Sequence, residues 1–210
     1  MDESTKAASN VPLVVDLDGT LIKIDTLHEA LVQFFSRKPV QALRALLMLT
    51  HGRAAFKAAI ADHVLPDVGT LPVNEAVFEA IKQARKEGRK VYLATAADQR
   101  FAEAIADSIG EFDGVFASAD GINLKGKAKA DRLVVAFGVH GFDYIGNDAT
   151  DIPAWRVART ALVSGAPSRL MQRLSSELPA AITLGTRKLA IGPYVLALRP
   201  HQWLKNSLVA

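Results

Sequence analysis

Short apolar runs recur along the chain at residues 11–15, 90–94, 114–117, 142–145 and 161–163, each stopped by a polar residue or a glycine. Runs of this length with little alternation read as strands buried on both faces, as in a parallel sheet. Between them the apolar period lengthens to that of a helix. Residues 75–87 put Ala76, Phe78, Ile81 and Ala84 near one face and stop at Gly88, and residues 99–109 stop at Gly110. A glycine just past the last periodic residue is a common helix terminator. Residues 127–137 and 152–159 continue the alternation. Strand, helix, strand, helix in this order predicts an α/β fold: a Rossmann-like, doubly wound parallel sheet with its active site at the carboxyl ends of the strands.

One segment departs from the alternation. Residues 27–35, 40–49 and 53–64 have helical spacing and are punctuated by Pro39, Gly52 and Pro66. They follow directly on the first strand, so the expectation is a small helical cap, at about 26–70, inserted over the catalytic end. Leu43, Leu46 and Leu47 read as core between its helices in preference to an apolar surface.

Composition narrows the chemistry. With 210 residues, half of them hydrophobic, the chain can bury one core and carry a small second lobe. It has no cysteine, so any metal must sit on oxygen or imidazole, which suits a hard cation such as Mg²⁺. The formal charge of +3 is spread without an aromatic-rich basic stripe, and nucleic acid is not an expected partner. Residues 1–10 are polar and read as a flexible tail without the features of a secretory signal, which argues for a cytoplasmic location. No uninterrupted apolar run approaches the ~20 residues that cross a bilayer.

The strongest chemical signal is Val14-Val15-Asp16-Leu17-Asp18-Gly19-Thr20, two carboxylates at i and i+2 where a buried strand breaks into a glycine turn. Both can face one cation. A carboxylate attacks phosphorus only if the repulsion between two anions is screened, and a metal touching both removes that difficulty. Asp18 is then placed to protonate the leaving oxygen and later to activate water. Further along, Thr95 closes the next strand, Lys125, Lys127 and Lys129 cluster at a helix start, and Gly146-Asn147-Asp148-Ala149-Thr150-Asp151 forms an acidic strand end.

Together these segments resemble the haloacid dehalogenase superfamily over roughly residues 11–180, whose first motif is Asp-x-Asp-x-Thr/Val after a hydrophobic strand. The resemblance implies that Asp16 forms an aspartyl-phosphate and that Asp18 is the general acid/base, a second Asp being typical of the phosphatases. It implies that Thr95, with Ala96, binds substrate phosphate. Among the three lysines, similarity to phosphoserine-phosphatase-like members favours Lys129, whose ammonium would hold Asp16 and the phosphate together. The fourth motif of such members reads Gly-Asp-x-x-x-Asp. Here Asn147 stands at the first Asp and Asp148 follows. Either Asn147 ligates Mg²⁺ through its amide oxygen, Asp148 takes over, or metal affinity is reduced; the favoured arrangement is Asn147 with Asp16 and Asp18, and Asp151 supporting the metal set from behind.

The carboxyl-terminal stretch has a different style. Residues 189–198 are mostly apolar, and Arg199-Pro200-His201-Gln202-Trp203-Leu204-Lys205-Asn206 follows. A basic, Trp-containing amphipathic stretch suits a membrane interface. It also resembles the opening of UbiA-like polyprenyl prenyltransferases, Arg-Pro-x-x-Trp-x-Lys-Asn. The resulting expectation is a tail at 1–10, a phosphatase core at 11–184 with its cap, and at 185–210 a linker and the start of a membrane domain. The substrate is then a lipid-linked sugar phosphate such as polyprenyl-phosphoryl-ribose 5-phosphate, on the cytoplasmic face of the cell membrane. Two other readings stay open: a phosphatase of a small soluble metabolite such as phosphoserine, and a weakly active docking domain of the membrane partner. The oligomeric state has no signature in the sequence.

Overall fold

The computed structural model describes residues 11–64 and 71–184. Its strands are β1 (Leu13–Val15), β2 (Val91–Asp98), β3 (Gly114–Ser118), β4 (Asp143–Gly146), β5 (Thr160–Ser164) and β6 (Ile182–Leu184). They form one parallel sheet in the order β3-β2-β1-β4-β5-β6. β1 is central: Val14 lies opposite Tyr92 on one side and Tyr144 on the other. The chain winds outward from β1 to β3 and returns to β4, so the strand order reverses beside β1. The crevice of an open sheet forms at such a reversal, and it puts the end of β1 where a ligand would sit.

Helices α4 (Glu75–Lys86) and α5 (Gln99–Ile109) cover one face, packing Val77, Ile81, Ala102 and Ile105 against Leu13, Val15 and Leu93. On the other face lie α6 (Lys127–Phe137), α7 (Ile152–Val157) and α8 (Ser168–Glu177), with Leu133, Trp155, Leu170 and Leu174 against Val14, Tyr144 and Val163. Both faces of β1 are therefore dry, which is why its residues are apolar without alternation.

Several expectations need correction. β2 does not close at Ala94; it runs through Thr95 to Asp98, with a register shift against β3 between Ala94 and Asp98. The helix expected over 152–159 stops at Val157, because Ala158 is already extended and Arg159 turns to pair with Asp143. On α4 the buried positions are Val77, Ile81 and Ala84, whereas Phe78 is half-buried under the Lys82 ammonium. The terminal α8 and β6 were not expected.

The cap follows β1 as α1 (Thr26–Arg37), α2 (Pro39–Leu46), a 3-10 turn (Leu47–His51) and α3 (Arg53–Ala61). Asp25 starts α1 by accepting from the amides of Leu27 and His28, and Pro39 starts α2. Of the three leucines expected in the cap core, Leu46 alone packs against it, partly buried. Ala30, Phe34, Ala42, Ala45, Phe56 and Ile60 fill it, closed by Phe101 from α5, while Leu43 and Leu47 are 63% and 68% exposed. Alanines on the inner side let the short helices approach closely, which turns Leu43 and Leu47 outward. Among the described residues no helix is long and apolar enough to cross a membrane.

At the amino end of β4, buried Asp143 accepts from Arg159 through both oxygens and also pairs with Arg89. Burial works to raise this carboxyl, yet the bonds from Arg159 and Thr160 and the arginine charges outweigh it and hold it below the usual carboxylate range. A carboxyl depressed on folding stabilises the fold fully above the ordinary carboxylate range, and the contribution is lost as pH falls through and below it. Asp143→Ala should cost about 2–4 kcal/mol in denaturant unfolding at neutral pH, since it leaves two guanidinium groups facing each other. The gap from the parent protein should narrow in acid.

Candidate active site

β1 ends in Asp16, whose amide donates to the Ile145 carbonyl of β4 at 2.9 Å. The chain then folds into a tight loop in which the Gly19 amide donates to Ile22 and the Ile22 amide to Leu17. Gly19 has φ +75°, and a Cβ there would stand 2.2 Å from Asn147 Nδ2. Only a residue without a side chain lets this loop and the end of β4 come so near. Asn74 fastens the loop from behind, donating to the Thr20 carbonyl and to Ser164 Oγ, both at 3.0 Å.

Asp16 is 7% exposed and Lys129, in the first turn of α6, is 4% exposed. Lys129 Nζ donates to Asp16 Oδ1 at 2.6 Å, to the Tyr144 hydroxyl at 2.9 Å and toward Asp151 Oδ1 at 3.4 Å. Tyr144 in turn donates to Asp151 Oδ1 at 2.7 Å. The second Asp151 oxygen accepts from the amides of Asn147 and Asp148, both at 3.1 Å. Asp151 is 2% exposed with both oxygens occupied, which is the arrangement of an anchor for the lysine and the loop. A Cβ on Gly146 would lie 2.7 Å from this carboxylate, so the glycine makes room for it.

Burial pushes the Asp16 carboxyl up to about 7, further than the Lys129 ammonium pulls it down; the Asp151 and Asp18 charges push the same way. For Lys129, burial favours the neutral amine, but Asp16 and Asp151 outweigh it and hold the ammonium firmly protonated. Asp18 is also raised, chiefly by burial, against the Thr26 amide that donates to its Oδ1 at 2.8 Å.

Thr20 Oγ1 lies 3.1 Å from Asp16 Oδ2 and 3.2 Å from Asn147 Oδ1. One hydroxyl proton cannot satisfy both, so one hard oxygen is always short of a positive partner. That shortage and the burial of Asp16 fit a cation held by Asp16, Asp18 and the Asn147 amide oxygen. Among the described residues no three acidic or histidine side chains converge as a metal site. Asp148 is exposed and accepts from the Thr150 amide at 2.9 Å as the cap of a 3-10 turn, Ala149–Asp151.

Asp16, Asp18, Ala96, Lys129, Asn147, Asp148 and Asp151 all line one cavity of about 460 Å³ between the carboxyl ends of the strands and the cap. Thr95 is the exception. It is wholly buried, with Oγ1 accepting from the Ala97 amide at 3.0 Å, and the cavity wall at this point is Ala96 and Ala97. One residue, Tyr144, escaped the sequence reading. Tyr144 carries no signal beyond being a tyrosine in an apolar strand. Lys57 was legible as the partner of Arg53 one turn earlier on α3; both line the cavity. Lys57 Nζ donates to the Ala96 carbonyl and, at 2.9 Å, to Asn123 Oδ1, so it bridges cap and core.

The sequence profile described as haloacid dehalogenase-like hydrolase matches residues 13–156. A curated relative, uncharacterized protein y4nM of Sinorhizobium fredii, is 38% identical over 200 residues, covering 95% of this chain and 39% of its own. The chain thus spans about two fifths of that relative's length. Among solved structures, a protein with unknown function from Bordetella pertussis Tohama I superposes with a TM-score of 0.61 at 14% identity, over 84% of this chain and 98% of that one. A phosphoserine phosphatase in apo form does so with a TM-score of 0.57 at 18% identity, over 86% and 96%. These likenesses establish the fold.

Lys129→Met leaves Asp16 and Asp151 buried without their cation and should lower unfolding stability in chelator by about 3 kcal/mol. Adding Asp16→Asn removes one of the two like charges, so the double variant should be more stable than Lys129→Met alone. Equal stabilities would mean the carboxylates are not coupled through the lysine.

Proposed function

The chain belongs to the haloacid dehalogenase-like hydrolases, and from that premise we propose that it is a Mg²⁺-dependent phosphatase acting through an aspartyl-phosphate on Asp16. The observation that carries this reading is the buried Asp16–Lys129 pair, 2.6 Å apart, opening with Asp18 onto one cavity. Lys129 fixes one oxygen of Asp16 and presents positive charge where a phosphate would lie. An Asp16 oxygen forms the bond to phosphorus while the ester oxygen leaves, taking a proton from Asp18. Asp18 then removes a proton from water, which attacks the same phosphorus and returns Asp16 as a carboxylate with inorganic phosphate as product. Tyr144 and Asp151 hydrogen-bond Lys129 and each other, and they position the lysine. When bound, Mg²⁺ would supply the charge that lets two anions meet, held by Asp16, Asp18 and Asn147.

For the substrate, we propose a lipid-linked sugar phosphate, polyprenyl-phosphoryl-ribose 5-phosphate or a close relative. Its 5-phosphate is the monoester to be cleaved, and its diester phosphate is a second anion. Arg53, Lys57 and Lys125 line the outer cavity and form no salt bridge among the described residues, which suits that second charge. Leu27, Leu49 and Phe56 supply the apolar wall beside them. The match to the prenyltransferase opening, Arg199 to Asn206, lies outside the described residues. It motivates the membrane-side setting on the cytoplasmic face, where a tethered partner would deliver product at high effective concentration.

With a generic phosphate monoester, Mg²⁺ should restore the rate that chelation removes, and Asp16→Asn should lower kcat by several orders of magnitude. A rate unchanged in Asp16→Asn would exclude the covalent route. Asn147→Asp, by giving the cation a charged ligand, should lower the Mg²⁺ concentration for half activity; a greater loss from Asp148→Ala than from Asn147→Ala would move the ligand role to Asp148.

For the substrate class, specificity constants for polyprenyl-phosphoryl-ribose 5-phosphate, ribose 5-phosphate and phosphoserine should fall in that order. Lys57→Met should raise KM for the first with little change in kcat. A preference for phosphoserine by about tenfold or more would overturn the lipid-linked assignment.

A further inference from the structure

The outer side of the cap carries a stripe that packing inside the protein does not explain. Val40, Leu43 and Leu47 are spaced three and four residues apart along α2 and into the following 3-10 turn, and they are 65%, 63% and 68% exposed. Met48 and Leu49 continue it, and the turn has no buried residue at all. Large side chains held this far out on consecutive turns form a contiguous apolar surface, which marks an interaction site. Its charges are one-sided. Residues 26–64 contain Arg37, Lys38, Arg44, Arg53 and Lys57 against Glu29 and Asp62. Asp62 is already paired with Arg100 of the core, and among the described residues Arg37, Lys38, Arg44 and Arg53 have no acidic partner. The stripe also ends at the active site, since Leu49 and Arg53 line its cavity.

We propose that this face of the cap docks on an anionic lipid bilayer, with Val40, Leu43 and Leu47 entering the headgroup–acyl boundary and the arginines meeting lipid phosphates. A short amphipathic helix with an apolar stripe and a basic fringe binds a bilayer in this way, by buried apolar area and attraction to anionic lipid together. A protein partner would be expected to meet a mixed rim of both charges, and a second copy of the chain would bring the same unpaired cations against themselves. Docking in this orientation turns the mouth of the cavity at Leu49 and Arg53 toward the membrane surface. The inference does not depend on which ester is hydrolysed.

The test is co-sedimentation of the full chain with vesicles of equal parts phosphatidylcholine and phosphatidylglycerol, and with vesicles of phosphatidylcholine alone. Binding to the mixed vesicles is expected, weaker by about tenfold without the anionic lipid and in high salt. Leu43→Glu with Leu47→Glu should lower binding by about tenfold or more. Hydrolysis of soluble p-nitrophenyl phosphate should be unchanged in that variant, which reports that it is folded. Three results overturn the proposal: no binding by the parent chain, undiminished binding in the double variant, which would place the contact elsewhere in the chain, or a dimer that the double variant dissolves. A chain that binds vesicles but hydrolyses nothing would refute the phosphatase reading alone.

Discussion

Two carboxylates, Asp16 and Asp151, lie in the dry interior at the end of the central strand, and a single ammonium, Lys129, is placed between them. Burying two like charges is unfavourable without a cation, and much of the site follows from that need. Asp151 is tied down by two backbone amides and Tyr144, so the lysine's position is set on one side. Gly146 leaves space for that carboxylate, and Gly19 leaves space for Asn147. In the proposed reaction the negative charge at Asp16 and Asp18 is what a bound cation would offset, and that cation with Lys129 would let an anionic phosphate enter. Held in this way, the groups are oriented before substrate arrives, and preorganised charge of this kind accounts for much of catalysis in other hydrolases.

The architecture was legible because the chain obeys simple rules where it is buried. Strands dry on both faces are short apolar runs, and glycines close the helices between them. The first carboxylate pair was legible for the same reason: Asp16 interrupts a run that has no local use for charge. Lys129 was harder to single out, since three lysines share its helix start and its burial depends on Asp16, 113 positions away in sequence. Tyr144 and the anchoring use of Asp151 depend on contacts between strand and loop that no local pattern records. The Thr95 position was read correctly as part of the second strand but not as its end, because β2 continues past it and turns its hydroxyl inward.

The cap shows the opposite error. A leucine-rich helical stretch suggested an interior, and the structure turns Leu43 and Leu47 outward, leaving Leu46 partly buried against a core of alanines, Phe34, Phe56 and Ile60. Helical periodicity identifies a face but not which of two sparse faces is inside, and here Ala42 and Ala45 offered a rival stripe to Val40, Leu43 and Leu47. An insertion that sacrifices apolar area in this way has another use for it. The same element brings Lys57 down to the Ala96 carbonyl and Asn123, so the cap contributes both an outer surface and part of the cavity wall.

In the proposed mechanism Asp16 itself carries the phosphoryl group. The most direct measurement is to quench the protein during turnover of a phosphate monoester with Mg²⁺, reduce it with borohydride, and sequence the peptides by mass spectrometry. An aspartyl-phosphate is reduced to homoserine, so homoserine is expected at position 16 and at no other acidic residue, and none when substrate is omitted. Turnover that leaves Asp16 unmodified while another side chain is reduced or phosphorylated would contradict it.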